Sequence, residues 1–294
     1  MFPGFESVDV DVGGLRLHAR VAGSGPAVLL LHGYPQTHVM WHQVAPVLAR
    51  EHTVVVADLR GYGDSAKPTA GADHAEYCKR SMAGDQVALM ATLGFDVFAA
   101  VGHDRGGRVV HRMCLDHPDV VARAAVLDIV PTRHVLANAD QHFGLAYYHW
   151  FFLAQPADLP ERLIGGDPEY FLRWTIHQWS ATENPFGDVA VKEYVRCFRD
   201  PAAIAASCED YRAAATIDLE HDEQSVRSGH RVTCPLLVLW GRRSFVGRHY
   251  DVLSVWRSYA HDVRGSGIDC GHFLAEEQPQ ATSVALAAFL DGDA

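Results

Sequence analysis

The segment from Gly102 to Gly106 most constrains what this chain can fold into, because it has the sequence Gly-His-Asp-Arg-Gly with Asp104 at its centre. An apolar run over residues 97–101 precedes it and a helical pattern over residues 109–117 follows, which predicts a strand, a sharp turn and a helix. The glycines permit the tight turn that lifts the central side chain above a sheet, where most such turns hold Ser. A carboxylate in that position favours displacement at saturated carbon through an alkyl-enzyme ester. The alternative is a Gly-rich turn with a solvated Asp.

The composition narrows the class of protein. With 294 residues, 48% of them hydrophobic and 21% charged, the chain can build a sizeable globular core. A net charge of −11 argues against a nucleic-acid partner and means that a small anion needs local basic groups to bind. The six cysteines form no CxxC pair, so we expect no metal site and no disulfide framework. Neither a secretory signal nor an apolar run of about 18 residues is visible, so we expect a cytoplasmic protein without a membrane segment.

Short apolar runs alternate with helical patterns along much of the chain. Residues 7–22 alternate polar and apolar side chains around Gly13-Gly14, which predicts an opening β-hairpin. Continuous apolar runs are typical of buried parallel strands, so we predict an α/β fold with a mostly parallel twisted sheet and helices on both faces. The predicted strands are residues 27–31, 54–57, 97–101, 124–129, 235–240 and 262–268, and the predicted helices are residues 41–50, 82–93 and 109–117.

The alternation stops after Pro131. Residues 133–224 are rich in aromatic side chains and contain no clear apolar strand, and the pattern of a parallel sheet resumes at Val232. We interpret this stretch as an inserted helical cap over the C-terminal edge of the sheet. The predicted organisation is a first part of an α/β core over residues 1–132, a cap over residues 133–224 and a second part of the core over residues 225–294.

Three candidate catalytic residues follow predicted strands, at the edge where the active sites of open α/β sheets lie. Asp104 follows the strand over residues 97–101, Asp128 lies at the end of its strand, and His272 follows the last strand. This chain order of nucleophile, acid and base is that of α/β-hydrolase triads, in which the acid orients the imidazole. The alternatives are that Asp128 caps a strand end and that His272 is an ordinary histidine among the 18 in the chain.

Residues 32–35, His-Gly-Tyr-Pro, follow the predicted strand over residues 27–31. This turn would place the backbone N–H of Tyr34 beside that of Arg105, and two converging N–H groups form an oxyanion hole that stabilises developing negative charge. The alternative is a plain turn between a strand and a loop. The Gly-rich residues 58–65 lack the spacing of a phosphate-binding loop, so we interpret them as a structural turn.

Together these motifs resemble the α/β-hydrolases, and within that superfamily the fluoroacetate (haloacetate) dehalogenases, over essentially the whole chain. The motifs shared across the superfamily are residues 32–35, residues 58–65 and Gly271-His272. The more specific motifs are Asp104-Arg105-x-x-Arg108, residues 147–156 and Tyr211. The resemblance implies the α/β-hydrolase fold with an inserted cap, and a reaction that needs no metal or other cofactor.

The resemblance also implies a role for each residue of the core site. Asp104 is the expected nucleophile, His272 the base and Asp128 its carboxylate partner. Arg105 and Arg108 are expected to hold a substrate carboxylate, and guanidinium groups suit this role because they donate several charge-assisted hydrogen bonds.

Three cap side chains are implied as hydrogen-bond donors to a leaving halide, namely His149, Trp150 and Tyr211. Imidazole N–H, indole N–H and phenol O–H groups are all suitable donors to a small anion. Fluoride needs this assistance because the C–F bond is strong and fluoride is strongly hydrated in water. For His149 and Trp150 the alternative is ordinary packing of an amphipathic cap helix.

The implied activity is the hydrolytic dehalogenation of a short 2-haloacid, fluoroacetate to glycolate and fluoride, through an ester on Asp104. The main alternative is an epoxide hydrolase with the same Asp-His-Asp triad, for which Tyr147, Tyr148 and Tyr211 offer phenols. The arginine pair argues against a neutral epoxide or haloalkane, because two unpaired buried cations are unfavourable. A ligand-binding protein without activity is a further alternative, which the complete triad disfavours.

The loop after the strand over residues 235–240 is basic. Many hydrolases place the acid of the triad there, so its absence favours Asp128 in that role and leaves the role of Arg242 and Arg243 open. The implied partner is a small anionic substrate, and a homodimer is one option that the sequence does not decide.

Overall fold

The structure is a computed structural model that describes residues 1–292 of the chain. It is organised around one sheet whose central strands are completely buried and mostly apolar. The eight strands in the described range are β1 (Glu6–Val12), β2 (Leu15–Ala22), β3 (Ala27–Leu31), β4 (Thr53–Ala57), β5 (Phe98–His103), β6 (Val121–Leu127), β7 (Leu236–Gly241) and β8 (Val263–Ile268).

The sheet is mostly parallel, and its strand order is β1-β2-β4-β3-β5-β6-β7-β8. The predicted hairpin is present as β1 and β2, which pair antiparallel, and β2 pairs antiparallel with β4. Every neighbouring pair from β4 to β8 is parallel. Leu31 is paired with Gly102 and His103 with Leu127, so the ends of β3, β5 and β6 lie side by side at one edge. The predicted α/β class with a mostly parallel sheet is confirmed.

Two predicted strands differ from the structure at their ends. Val97 is exposed and lies outside β5, which continues instead to His103. β6 ends at Leu127, so Asp128 and Ile129 follow the strand instead of belonging to it. The reason is the backbone of Asp128, whose φ of 53° is incompatible with extended pairing.

The first helices of the chain differ in extent from the predicted ones. The prediction of a helix over residues 41–50 is wrong in extent, because Trp41 ends a short 3-10 helix, His38–Trp41, and only four residues become α-helical around Pro46. Proline fits only the first turn of a helix. The helix predicted over residues 109–117 begins earlier, since the glycine pair that obscured its start is itself helical. These helices are α1 (Ala45–Leu48), α2 (Lys79–Thr92) and α3 (Asp104–Asp116), with a second 3-10 helix at Ala75–Tyr77.

The chain between β6 and β7 is helical, as expected for a cap. The division of the chain at residues 133 and 224 stays a prediction. The helices of this insertion are α4 (Thr132–Ala137), α5 (Gln141–Ala146), α6 (His149–Leu153), α7 (Leu159–Gly166), α8 (Pro168–Trp179), α9 (Asp188–Phe198), α10 (Pro201–Ala215) and α11 (Ile217–Arg227).

The remaining helices are α12 (Phe245–His249), α13 (Val252–Arg257), α14 (Leu274–Glu277) and α15 (Pro279–Asp291). His111 of α3 packs against Trp256 of α13 with ring centroids 5.2 Å apart, and α2 packs against α3. α1 packs beside α15. Within residues 1–292, none of the helices combines the length and the apolar character that crossing a membrane requires.

Candidate active site

Asp104 lies in the sharp turn between β5 and α3. Its φ of 47° places it in the left-handed region, which is unfavourable by about 1–3 kcal/mol for a residue with a side chain. A Cβ on Gly102 would lie 2.4 Å from the carbonyl oxygen of Gly106, and a Cβ on Gly106 would lie 2.4 Å from that of His32. Only glycine fits at these two positions, so the tight backbone contacts hold Asp104 at the end of the sheet.

The carboxylate of Asp104 is buried, and its Oδ2 accepts a hydrogen bond from the backbone N–H of Tyr34 at 2.9 Å. Burial raises the pKa of Asp104, but the charges of His272 and of the nearby arginines outweigh burial, so this pKa lies below its usual value. The carboxylate is therefore ionised at neutral pH, which is the form a nucleophile needs. The N–H of Arg105 lies in the first turn of α3, where no preceding helical carbonyl can accept it.

His272 and Asp128 are in direct contact. Nδ1 of His272 lies 2.7 Å from Oδ2 of Asp128. Oδ1 of Asp128 accepts hydrogen bonds from the backbone N–H of Gly241 at 2.9 Å and from the hydroxyl of Ser244 at 2.7 Å. These bonds orient the carboxylate, which holds a proton on Nδ1 and leaves Nε2 free to accept one. The structure thus brings the predicted acid and base together.

Nε2 of His272 is buried and has no hydrogen-bond partner within the described chain. Burial lowers the pKa of His272, but the hydrogen bond and charge of Asp128 outweigh burial, so this pKa lies above its usual value. The adjacent His103 contacts the carbonyl oxygen of His272 through Nε2 at 2.8 Å, and burial lowers the pKa of His103 to about 3. Neutral His103 thus holds the backbone of His272 through this hydrogen bond. Nε2 of His272 itself is available as a base.

Arg105 is fully buried and has a counter-ion inside the protein. Its Nε donates to Oδ2 of Asp210 at 3.0 Å, and its Nη2 donates to Oδ1 at 2.6 Å. Lys79 also contacts this carboxylate. Although burial raises the pKa of Asp210, Arg105 and Lys79 hold it well below its usual value. The premise of two unpaired buried arginines is therefore wrong for Arg105, of which only Nη1 lacks a partner among residues 1–292.

Arg108 is buried without a carboxylate in salt-bridge contact in the part of the chain that the structure describes. Its Nη1 donates to the carbonyl oxygen of Val130 at 2.9 Å and to Oγ1 of Thr132 at 3.1 Å. Its Nε is buried without a partner within the same residues. Burial and the charge of Arg105 lower the pKa of Arg108, yet a guanidinium stays charged at neutral pH. Arg108, more than Arg105, is therefore the buried cation that an anionic ligand would neutralise.

The predicted halide-binding residues lie together over these arginines. Trp150 lies in α6 with its ring centroid 4.6 Å from Cζ of Arg108, and Tyr211 lies in α10 with its ring 4.2 Å from Cζ of Arg105. The ring of His149 lies 5.6 Å from that of Tyr211. Such contacts between cations and aromatic faces are favourable. The fold thus brings the predicted carboxylate-binding arginines and the predicted halide-binding side chains together. The role of each residue stays a prediction.

Two of these cap side chains present polar atoms that the described residues do not satisfy. The hydroxyl of Tyr211 and Nδ1 of His149 are buried without a partner in residues 1–292. Burial raises the pKa of Tyr211 well above its usual value and lowers the pKa of His149 to about 3, so both side chains are neutral. A buried polar atom without a partner is unfavourable by about 1–3 kcal/mol, which indicates that a ligand satisfies them.

A surface cleft of about 470 Å³ reaches His272. Tyr147 and Trp179 line it from the insertion, Arg243 lines it from the basic loop after β7, and Arg248 lines it from α12. Arg243 is half exposed and pairs with Asp269 at 3.1 Å. Arg243 and Arg248 therefore contribute cations to the approach to His272, whereas Arg242 is exposed and does not line the cleft.

Sequence reasoning missed Asp210, Lys79 and Ser244. Asp210 directly precedes the predicted Tyr211, but its partner Arg105 lies 105 positions away, and no local pattern indicates that pairing. Ser244 lies in the basic loop where an acidic residue was sought, and its hydroxyl supports Asp128 instead. A buried polar network is specified by tertiary contacts, which single-sequence patterns do not contain.

Two groups of side chains in the described range have the composition of a metal site. They are His18, His38 and Asp58, and Cys78, Asp218 and His221. Neither group includes a residue of the triad. Several of their ligand atoms already make hydrogen bonds within the protein, such as Nδ1 of His38 with Asp58 at 3.0 Å. The triad itself needs no metal to be oriented, because protein groups hold each member.

Comparisons with known proteins agree with this geometry. Residues 26–279 match the family model described as alpha/beta hydrolase fold. A fluoroacetate dehalogenase from a Burkholderia species is 48% identical over 99% of this chain and 95% of its own. A soluble epoxide hydrolase from Corynebacterium sp. strain C12 is 36% identical over 92% of this chain and 91% of its own. The crystal structure of a protein from Nostoc sp. PCC 7120 superposes with a TM-score of 0.97 at 54% identity and covers 99% of both chains. The resemblance inferred from the motifs is confirmed, and the chain belongs to the alpha/beta hydrolase fold family.

Proposed function

We propose that this protein hydrolyses short 2-haloacids, with fluoroacetate as a substrate, to glycolate and halide. The observation that carries the proposal is the cation of Arg108, which is buried near the carboxylate nucleophile without a carboxylate partner in the described chain. The similarity to the Burkholderia fluoroacetate dehalogenase supports the same substrate class. An anionic substrate would supply the missing counter-charge.

In the first step, the carboxylate of Asp104 attacks the carbon that holds the halogen. Oδ2 of Asp104 accepts a hydrogen bond from the backbone N–H of Tyr34. Oδ1 is therefore the attacking oxygen, and Oδ2 becomes the carbonyl oxygen of the ester. The C–O bond forms as the C–halogen bond breaks, and the halide leaves with the bonding electrons. The substrate carboxylate binds at Arg108 and at Nη1 of Arg105. The expected donors to the leaving halide are His149, Trp150 and Tyr211.

In the second step, Nε2 of His272 removes a proton from water, and the resulting hydroxide attacks the carbonyl carbon of the ester on Asp104. Negative charge develops on Oδ2, where the N–H groups of Tyr34 and Arg105 stabilise it. Collapse of the intermediate expels the glycolate oxygen, which takes the proton from His272. The carboxylic acid formed on Asp104 releases its remaining proton to solvent, so the carboxylate is restored with one oxygen from solvent.

Epoxide hydrolysis with the same triad is the second candidate function. It is favoured by the similarity to the Corynebacterium enzyme and by the phenols of Tyr147, which is partly buried, and Tyr211, which is fully buried. Burial raises the pKa values of both phenols, so both stay protonated. A phenol of this kind can donate a proton to an epoxide oxygen. The cation of Arg108 disfavours it, because a neutral substrate leaves that charge uncompensated.

The test measures halide release from fluoroacetate and chloroacetate beside ring opening of styrene oxide, with the purified protein. We expect halide release and no epoxide opening above background. Epoxide opening without halide release would assign the protein to the epoxide hydrolases. If the protein has neither activity, the ligand-binding alternative is the one that fits.

A single turnover in heavy-oxygen water tests the ester. We expect the solvent label in the peptide that contains Asp104, and loss of halide release in Asp104→Ala. Label that enters glycolate directly in the first turnover would mean that water attacks the substrate and that no ester forms.

A further inference from the structure

The side chain of Tyr34 extends from the core into the middle of the insertion. Its backbone N–H binds Oδ2 of Asp104, so the residue starts beside the nucleophile. The centroid of its ring lies 5.4 Å from that of Tyr211, in an edge-to-face arrangement. It lies 6.5 Å from the ring centroid of His149, with the two planes nearly parallel. Since the rings of His149 and Tyr211 are 5.6 Å apart, the three rings form a closed triangle.

Every ring of this triangle has a polar atom that the described protein leaves without a partner. These atoms are the hydroxyl of Tyr34, the hydroxyl of Tyr211 and Nδ1 of His149. Tyr34 is fully buried, and burial raises its pKa well above the usual value, so the hydroxyl keeps its proton. One unsatisfied buried group can be a packing defect, but three on neighbouring rings close to Asp104 indicate a shared ligand.

We propose that the Tyr34 hydroxyl is a further hydrogen-bond donor to the leaving halide, in addition to His149, Trp150 and Tyr211. The inference rests on the proposed function, because it assigns another residue to the same step. A phenol donor contributes most where negative charge grows in the transition state. Fluoride is the poorest leaving group among the halides, so the effect of Tyr34 is largest on fluoroacetate.

The variant Tyr34→Phe removes only the hydroxyl and keeps the ring. We expect kcat/KM for fluoroacetate to fall about 10-fold, because a hydrogen bond to a charged group is lost, and that for chloroacetate to fall clearly less. The Tm should stay equal or rise, because the apo protein loses an unsatisfied polar group. Both substrates are assayed by halide release, and Tm is measured without ligand.

Tyr194→Phe is the matched control. Tyr194 is also fully buried, but its hydroxyl donates to Oε1 of Glu276 at 2.9 Å. This variant should lower Tm and leave the ratio of fluoroacetate to chloroacetate activity unchanged.

The result that overturns the proposal is a Tyr34→Phe protein with an unchanged ratio of the two activities, or one that is destabilised like Tyr194→Phe, since the hydroxyl would then be structural. These outcomes are distinct from failure of the proposed function, in which the wild-type protein releases no halide and the assignment of Tyr34 falls with it.

Discussion

Replacement of Arg108 by Leu tests whether this guanidinium binds the substrate carboxylate. Nη1 of Arg108 already donates hydrogen bonds to Val130 and Thr132. Its buried Nε has no partner within residues 1–292 and can donate to a ligand. One charge-assisted hydrogen bond contributes about 1.5–3 kcal/mol, and about 1.4 kcal/mol changes a rate tenfold, so kcat/KM for chloroacetate should fall about 10- to 150-fold. A second bond from the same guanidinium would add to the loss.

The assay compares chloroacetate with chloroacetamide, which has the same leaving group and no charge, by chloride release at neutral pH. The activity of Arg108→Leu on the amide should change little. Thr132→Val is the matched control, because it removes one internal acceptor of Nη1 while the charge remains. This control should lower both activities slightly and equally.

Equal losses on the two substrates would refute the reasoning, because Arg108 would then position the site without binding a carboxylate. The effect of substitution on the Tm should differ between Arg108 and Arg105. Arg108→Leu removes a cation that has no carboxylate partner in the described chain, so its Tm should not fall. Arg105→Leu leaves the buried Asp210 with Lys79 as its one cationic partner in the described chain, beside a hydrogen bond from the hydroxyl of Tyr62, so its Tm should fall.

Three further predictions concern the base, the halide site and the pH dependence. His272→Asn should allow the first step and block ester hydrolysis, so mass spectrometry should find a carboxymethyl adduct on the peptide of Asp104; sustained multiple turnover would exclude His272 as the base. Trp150→Phe should reduce activity on fluoroacetate far more than on chloroacetate at an unchanged Tm, whereas a uniform loss with a lower Tm would make Trp150 a packing residue. Ester hydrolysis needs neutral His272, whose pKa lies above its usual value because Asp128 outweighs burial, so the rate should fall as pH drops through that raised pKa. Asp128→Asn should move this acidic limb of the pH profile to lower pH, and a limb that does not move would show that another group sets it.

The local patterns of the chain were sufficient to predict the sharp turn that holds Asp104 and the positions of Asp128 and His272 after the ends of strands. The glycines around Asp104 are needed by the backbone itself, since any Cβ at Gly102 or Gly106 would collide with a carbonyl oxygen. Apolar runs likewise predicted the strands because both faces of a parallel strand are buried. Such requirements act within a few residues, so they are visible in the sequence.

The partners of the site residues were decided only by the tertiary structure. Asp210 neutralises Arg105 across 105 positions and Ser244 orients Asp128 across 116, and nothing near either residue indicates its partner. The same holds for Tyr34, which the sequence presents as a turn residue and whose hydroxyl became notable only because the folded protein buries it unpaired. The physical reason is that desolvation and pairing depend on everything packed around an atom, whereas turn and strand formation depend on neighbouring residues of the chain.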